Sequence, residues 1–232
     1  MSELVTLVDA CKSKLALENS SLGEEYYYSS LPLCVIDSVF SIGVTYTSVQ
    51  NTVDRYCKYF GLEKFRKSNN SIPETKDQES IRTFNAKLQN IGIDKFTNEI
   101  FNNRQRTSTK NGILKTQAVA QFSSILSEYK VNYFQDISKI VNDLELEKNI
   151  KTIPGQTSGL SLKYFFMLSG SKDLVKPDRM ILRFLEDVTS KKYSIQDAQV
   201  ILVDACEILK NDYSNITPRL LDHEIWKYQR KK

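Results

Sequence analysis

The chain has 232 residues, of which 41% are hydrophobic and 26% charged, and this composition excludes a disordered or collagen-like chain. It holds no run of about 18 apolar residues and no basic-then-apolar leader, so we expect no membrane span, no export and a cytoplasmic location. The single histidine, His223, excludes most zinc sites and histidine-based triads.

The net charge of +4 is small, and its distribution is more informative than its size. Two stretches without acidic residues, 100–127 and 148–172, carry several lysines and arginines. They weakly favour a polyanionic partner. The four cysteines lack metal-ligand spacing and lie among apolar residues at helical spacing, which predicts buried free thiols rather than a metal site.

Apolar residues recur at helical spacing along most of the chain, so we expect an all-α fold. In the first half the pattern predicts helices at 3–17, 31–43, 47–61, 78–90 and 94–101. Pro32 opens the second of these helices and Gly61 ends the third. The polar stretch 66–80, which contains Pro73, predicts a loop.

The second half continues the helical pattern, with predicted helices at 112–130, 134–144, 146–153, 160–168, 179–190, 194–210 and 217–232. Ser194, followed by Asp197 three residues later, predicts an N-cap for the helix that begins there. Glycines separate the helices on either side of residues 154–159, which predicts a tight hairpin between them.

This hairpin has the composition of a phosphate-binding turn. A helix N-terminus offers unpaired N–H groups and partial positive charge, and Gly155 and Gly159 let the backbone approach a phosphate closely. Thr157, Ser158 and Ser161 add hydroxyl groups. Such a turn holds a DNA phosphate without reading the base sequence. The alternative interpretation is an ordinary connection between two helices.

One carboxylate, Asp178, follows the hairpin and lies between two cations, Lys176 and Arg179. A carboxylate beside a sugar stabilises the positive charge that develops when a glycosidic bond breaks, and it can orient the attacking water. The flanking cations would favour a negative charge there and could contact phosphates. Asp is also a frequent N-cap, and the pattern equally predicts that role for a helix starting at Arg179.

The order of these stretches resembles the endonuclease III-like helix-hairpin-helix (HhH-GPD) DNA glycosylase superfamily over most of residues 30–190. Asp178 follows Gly159 by 19 positions, close to the spacing between hairpin and aspartate in that family. Four stretches carry the resemblance, namely "LCVIDSVFSIGVTYTSV", "NGILKTQAVAQF", "IPGQTSG" and "KPDRMILRF".

The resemblance implies an all-α, two-lobed fold, with a central lobe at 32–153 and a second lobe formed by 1–31 and 154–232. It implies a monomeric enzyme that flips a damaged or modified base out of duplex DNA and hydrolyses its bond to deoxyribose through Asp178. The role would be base excision repair or defence against modified foreign DNA. The resemblance implies that the reaction needs no metal or organic cofactor. It also implies that a monovalent cation binds in the hairpin.

Three departures from the family pattern bear on the chemistry. Thr157 stands where the family hairpin has its second glycine. The Schiff-base lysine of bifunctional members falls on Gly159, or on Ser161 if the hairpin is shifted, so a lysine-dependent lyase step is not expected. The four-cysteine iron–sulfur loop is missing, because only Cys206 lies beyond residue 57.

The remaining DNA contacts are predicted from composition. The stretch 102–112 combines arginines, a lysine and small hydroxyl residues, which suits phosphate contacts as well as a solvated loop. Ile42 or Val44 would be an apolar wedge in the duplex, or part of a turn between core helices. The full set of predicted DNA-binding residues is Ile42, Arg104, Arg106, Lys110, Gly155, Gln156, Thr157, Ser158, Gly159, Ser161, Lys163, Lys176 and Arg179.

Two other functions fit the same sequence. A DNA-binding module of the same fold without catalysis fits Thr157 and the missing lysine. A helical protein-interaction domain would leave the basic stretches merely solvated. The aromatic stretch "EEYYYSS", residues 24–30, is typical of core packing and also suits the wall of a base pocket.

Overall fold

A computed structural model describes residues 2–68 and 71–232, and the regular secondary structure of these residues is helical. Within those residues there is no β-strand, only the isolated bridges Tyr28–Phe65 and Arg106–Leu114. The predicted all-α class is therefore confirmed. None of the described helices is long and apolar enough to cross a membrane. Asn69 and Asn70, inside the predicted loop 66–80, lie outside the described residues, as does Met1.

The α-helices are α1 (Glu3–Lys14), α2 (Leu31–Phe40), α3 (Tyr46–Phe60), α4 (Ile81–Ile91), the single turn α5 (Ile93–Lys95), α6 (Lys115–Glu128), α7 (Leu144–Lys151), α8 (Leu160–Leu168), α9 (Arg179–Thr189), α10 (Ile195–Leu209) and α11 (Pro218–Arg230). A π-helical segment, Phe96–Ile100, continues α5. Short 3₁₀ segments occupy Glu24–Tyr26, Thr75–Asp77 and Phe134–Lys139.

Several predicted helices are shorter than their apolar pattern indicated, and two of them have an identifiable cause. The helix expected at 134–144 is a 3₁₀ segment, because Asn142 has a positive φ of 68° and the Asp143 side chain caps the next helix. The helix expected at 112–130 begins at Lys115, because Leu114 is extended and pairs with Arg106.

The helices form two compact units. The terminal unit comprises the chain up to Gly23 and Gly170–Lys232, and the central unit comprises Glu24–Ser169. The predicted lobes differ from these units, because the prediction placed the hairpin with the C-terminal helices and the structure has it in the central unit. Residues 24–31 and 154–169 belong to the central unit. The packing of α8 against α2 accounts for the second of these segments, and backbone hydrogen bonds from Ser29 to Lys64 and from Arg66 to Tyr27 hold the first.

The core of the terminal unit is largely aliphatic and is formed by α1, α9, α10 and α11. Cys11 and Cys206 lie in it, and burial raises the pKa of their thiols to about 12 and about 11. Such thiols are unreactive at neutral pH. All four cysteines are buried and free, as the sequence predicted.

The core of the central unit is rich in aromatic rings, including Phe40, Tyr56 and Phe101. Every residue of α2 is buried, so the helix is the axis of this unit. The buried ammonium of Lys115 donates hydrogen bonds to the carbonyl oxygens of Phe40 (2.8 Å) and Ile42 (2.7 Å), where α2 ends. A cation at this end complements the helix dipole. Lys115 therefore belongs to the interior and not to a basic surface.

Candidate functional site

The predicted hairpin is present between α7 and α8 in the central unit. Gly155 and Gly159 both have left-handed backbones, with φ of +84° and +71°. The Gln156 N–H donates to the Ile153 carbonyl at 2.9 Å, and the Gly159 N–H donates to the Gln156 carbonyl at 2.9 Å. Thr157 is not among the described non-glycine residues with positive φ, so glycine is not required at that position.

Gly155 packs against the basic stretch 102–112. A Cβ added at Gly155 would lie 2.5 Å from the Cβ of Thr107 and 2.7 Å from its Oγ1. Because nothing larger than hydrogen fits there, the hairpin and this stretch share a close contact. The structure thus brings together, within the central unit, two elements that the sequence predicted separately as DNA contacts.

Hydrogen bonds hold the stretch 102–112 in place. The Thr107 N–H donates to the Ile113 carbonyl at 2.9 Å, and the Arg106 guanidinium donates to the Gly112 carbonyl. Arg55 of α3 donates to the Phe101 carbonyl at 2.7 Å, which anchors the start of the stretch. Arg104, Arg106 and Lys110 are exposed on this ordered support.

The side chains of the hairpin divide into exposed and buried ones. Thr157 and Ser158 are exposed, whereas Gln156 and Ser161 are only 2% and 1% exposed. Within the described residues the Ser161 Oγ has no hydrogen-bond partner. Burial does not suit the side-chain DNA contacts predicted for Gln156 and Ser161. The hydroxyl groups available at the surface of the turn are those of Thr157 and Ser158.

Lys163, another predicted contact, is only half-exposed. It lies near the ion pair that Lys151 forms with Glu147 at 2.5 Å. Burial lowers the pKa of Lys163, Glu147 raises it and Lys151 lowers it. The acid of α7 thus offsets part of the positive charge beside the hairpin.

Asp178 lies in the terminal unit and caps α9. Its Oδ1 accepts hydrogen bonds from the backbone N–H groups of Met180 (2.8 Å) and Ile181 (3.3 Å). The side chain is partly exposed, and its Oδ2 takes no part in the cap. Both predicted roles are compatible in this geometry, because one oxygen fixes the carboxylate and the other does not serve the cap.

The two cations beside Asp178 differ in exposure. Arg179 is exposed, but Lys176 is only 8% exposed. The predicted phosphate contact through Lys176 does not suit a buried side chain. The Lys176 carbonyl instead accepts the Asp178 N–H at 2.6 Å, so Lys176 shapes the turn that carries the carboxylate.

A second carboxylate, Asp222 of α11, acts on the same turn and was not singled out from the sequence. Its Oδ2 accepts the Lys176 N–H at 2.7 Å. Burial raises the pKa of Asp222 to about 8, and the negative charge of Asp178 raises it as well. The sequence did contain a signal for Asp222. One face of α11 is polar, because the spacing i, i+3, i+4 brings together Arg219, Asp222 and His223.

His223 and Trp226 lie three residues apart on α11. Their rings stack with centroids 6.2 Å apart, and His223 is buried. Burial lowers the pKa of His223 to about 4. The imidazole is therefore neutral over the physiological range.

The aromatic stretch 24–30 contributes to a buried polar cluster in the central unit. Tyr28 is fully buried, and its hydroxyl donates to Asp37 Oδ2 at 2.8 Å. Burial, and then the charge of Asp37, raises the pKa of Tyr28. These contacts agree with core packing. Ile42, the predicted wedge, is half-buried in the turn after α2 that Lys115 holds.

A family profile described as "Domain of unknown function (DUF8548)" matches residues 5–230. The chain belongs to this family. The matched range includes both units, so the hairpin and Asp178 are parts of one DUF8548 domain. Comparisons with curated proteins and with solved structures gave no match.

Proposed function

We propose that this protein is a monofunctional DNA glycosylase, which flips a damaged or modified base out of duplex DNA and hydrolyses its bond to deoxyribose. The observation that carries the proposal is the setting of Asp178. Two backbone N–H groups hold its Oδ1, and the side chain remains partly exposed. A carboxylate fixed in this way is oriented before a substrate arrives.

The chemistry follows from charge. As the N-glycosidic bond breaks, positive charge develops on the sugar, and a fixed carboxylate stabilises it more than water does. The same group orients or deprotonates the attacking water. Removing a well-aimed charged group of this kind costs roughly 10²- to 10³-fold in rate, or about 3–4 kcal/mol.

The hairpin supplies the binding part of the proposal. The exposed hydroxyls of Thr157 and Ser158 suit a sugar–phosphate backbone. The exposed cations of the stretch 102–112 add a sequence-independent electrostatic attraction. No lysine occupies position 159 or 161, so the expected product is an abasic site with an intact strand.

The test is to incubate the protein with duplex DNAs that carry different damaged or modified bases and to measure abasic sites with an aldehyde-reactive probe. We expect wild type to form abasic sites on at least one duplex, and Asp178→Asn to bind that duplex equally well without excising the base. Strand cleavage without added base or heat would contradict the monofunctional assignment.

The alternative function is a DNA-binding module without catalysis. It is favoured by the contact between Gly155 and Thr107, which joins the two predicted binding elements inside the central unit and needs nothing from Asp178. Salt-sensitive binding to every duplex, with no abasic site on any, would establish this alternative. Binding to no duplex would instead favour a protein-interaction domain.

A further inference from the structure

The turn that carries Asp178 is fastened to α11 at two points. The Arg219 N–H donates to the Lys172 carbonyl at 3.0 Å, where the connection from the central unit to α9 begins. Further along, the Lys176 N–H donates to Asp222 Oδ2 at 2.7 Å. The Asp178 N–H then donates to the Lys176 carbonyl at 2.6 Å. Two hydrogen bonds, joined by the backbone of Lys176, therefore link the Asp222 carboxyl to the Asp178 N–H.

The two carboxyl groups differ in burial. Asp222 is 5% exposed, whereas Asp178 is partly exposed. When two carboxyl groups are near each other, the more buried one holds a proton more strongly and the more solvated one keeps the negative charge. Burial and the charge of Asp178 raise the pKa of Asp222 to about 8, although the Lys176 N–H and the charges of Lys176 and Arg219 act in the opposite direction.

We propose that Asp222 is a positioning residue for Asp178: its buried carboxyl group anchors the Lys176–Asp178 turn by accepting the Lys176 N–H. This inference rests on the proposed function, because Asp178 is the catalytic group only if the protein excises bases. Ionisation of Asp222 places a second negative charge in the interior beside the first. The two charges then repel each other across the turn, so we expect excision to decline at alkaline pH.

The first experiment measures the pair without any substrate. Carboxyl carbons of ¹³C-labelled aspartate are titrated by NMR in wild type, Asp178→Asn and Asp222→Asn. We expect one carboxyl that titrates near pH 8 in wild type, is absent from Asp222→Asn and titrates about one pH unit or more lower in Asp178→Asn. An Asp222 that titrates at an ordinary value near 4, or that ignores the Asp178 substitution, overturns the inference.

The second experiment measures excision against pH on a duplex that wild type processes. Asp222→Asn keeps an acceptor for the Lys176 N–H and cannot ionise, so we expect a rate within about threefold of wild type at pH 6–7 and no decline above about pH 8. Asp222→Ala removes the acceptor, and we expect a loss of roughly tenfold or more at every pH. Circular dichroism checks that both variants are folded.

The experiments distinguish failure of the proposed glycosylase function from failure of the positioning role of Asp222. If wild type excises no base, the proposed function fails while the NMR titration still decides whether the carboxylates are coupled. If wild type excises but Asp222→Asn keeps the alkaline decline of wild type, Asp222 does not position Asp178 through its protonation state, and the proposed function stands. Should Asp222→Asn be unfolded, the Asp178→Asn titration alone decides the inference.

Discussion

The hairpin of the central unit and the α9 cap of the terminal unit differ in the charge of the groups that form them. The hairpin consists of uncharged backbone with two left-handed glycines, and the nearby Lys151 is paired with Glu147. The cap is formed by ionisable residues, because one turn contains Lys176 and Asp178 and is bonded to Asp222. Under the proposed function, DNA affinity would depend on the central unit and the chemistry on the terminal unit, so we expect substitutions in one unit to change one property and spare the other.

The largest effect on the hairpin side is expected from Gly155→Ala. The new Cβ would collide with Thr107, and alanine is also strained at a φ of +84°. We expect a loss of about 2–3 kcal/mol in the free energy of unfolding and at least tenfold weaker duplex binding. Chemical denaturation and a fluorescence anisotropy titration measure the two quantities.

Gly61→Ala is the matched control for that substitution. Gly61 also has a left-handed backbone, with a φ of +63°, but nothing lies within 4 Å of an added Cβ. It should lose only about 1 kcal/mol and keep its affinity for DNA. Equal losses of stability and of affinity in the two variants would show that the contact between Gly155 and Thr107 contributes to neither.

On the cap side, a smaller effect appears in the pH dependence of stability. The pKa of Asp222 in the folded protein, about 8, lies above that of an unfolded aspartate, so folding takes up a proton and stability falls as pH rises toward 8. His223 acts in the opposite direction below pH 6.5, because its folded pKa is lowered to about 4. Between about pH 6.5 and 8 Asp222 makes the largest contribution, because the buried thiols begin to contribute only near pH 8.

Wild type should therefore lose about 1–2 kcal/mol of stability between pH 6.5 and 8, and Asp222→Asn should not. Below pH 6.5 the variant should instead become more stable as pH rises, since the histidine contribution is then unopposed. Urea denaturation at four pH values from 5 to 8 gives both slopes. Parallel curves for the two proteins would contradict the raised pKa of Asp222.

The smallest effect is expected from Arg104→Ala. Arg104 is exposed in the stretch 102–112, whose Thr107 contacts the hairpin. One lost phosphate contact should lower the slope of log affinity against log salt by about 1 without changing the excision rate at saturating protein. Arg82→Ala, at an exposed arginine of α4 that is not a predicted contact, is the control. If both variants change the slope equally, the attraction is diffuse and the stretch 102–112 has no special role.

Much of the helical fold follows from the sequence because amphipathic periodicity and caps are local. Pro32, Gly61 and Ser194 mark helix ends that the structure shows at or next to those residues. The failures occur where tertiary contacts outweigh local pattern. Leu114 has a helical apolar spacing, but pairing with Arg106 draws it into an extended bridge.

The candidate site was predictable only in part. Glycine and proline spacing locates the hairpin, and the Asp178 cap follows from residue type at a helix start. The roles of Lys115 and Asp222 depend on partners 73 and 46 residues away in sequence. No local pattern contains such pairings. The assignment of residues 154–169 to the central unit depends in the same way on the packing of α8 against α2.

The most direct measurement is the single-turnover excision rate of Asp178→Asn relative to wild type, on one duplex that both proteins bind with equal affinity. Asparagine retains an oxygen that can cap α9, so stability should be nearly unchanged while the rate falls by roughly 10²-fold or more. An Asp178→Asn protein that excises the base as fast as wild type would show that Asp178 only caps a helix, and the catalytic assignment would be wrong.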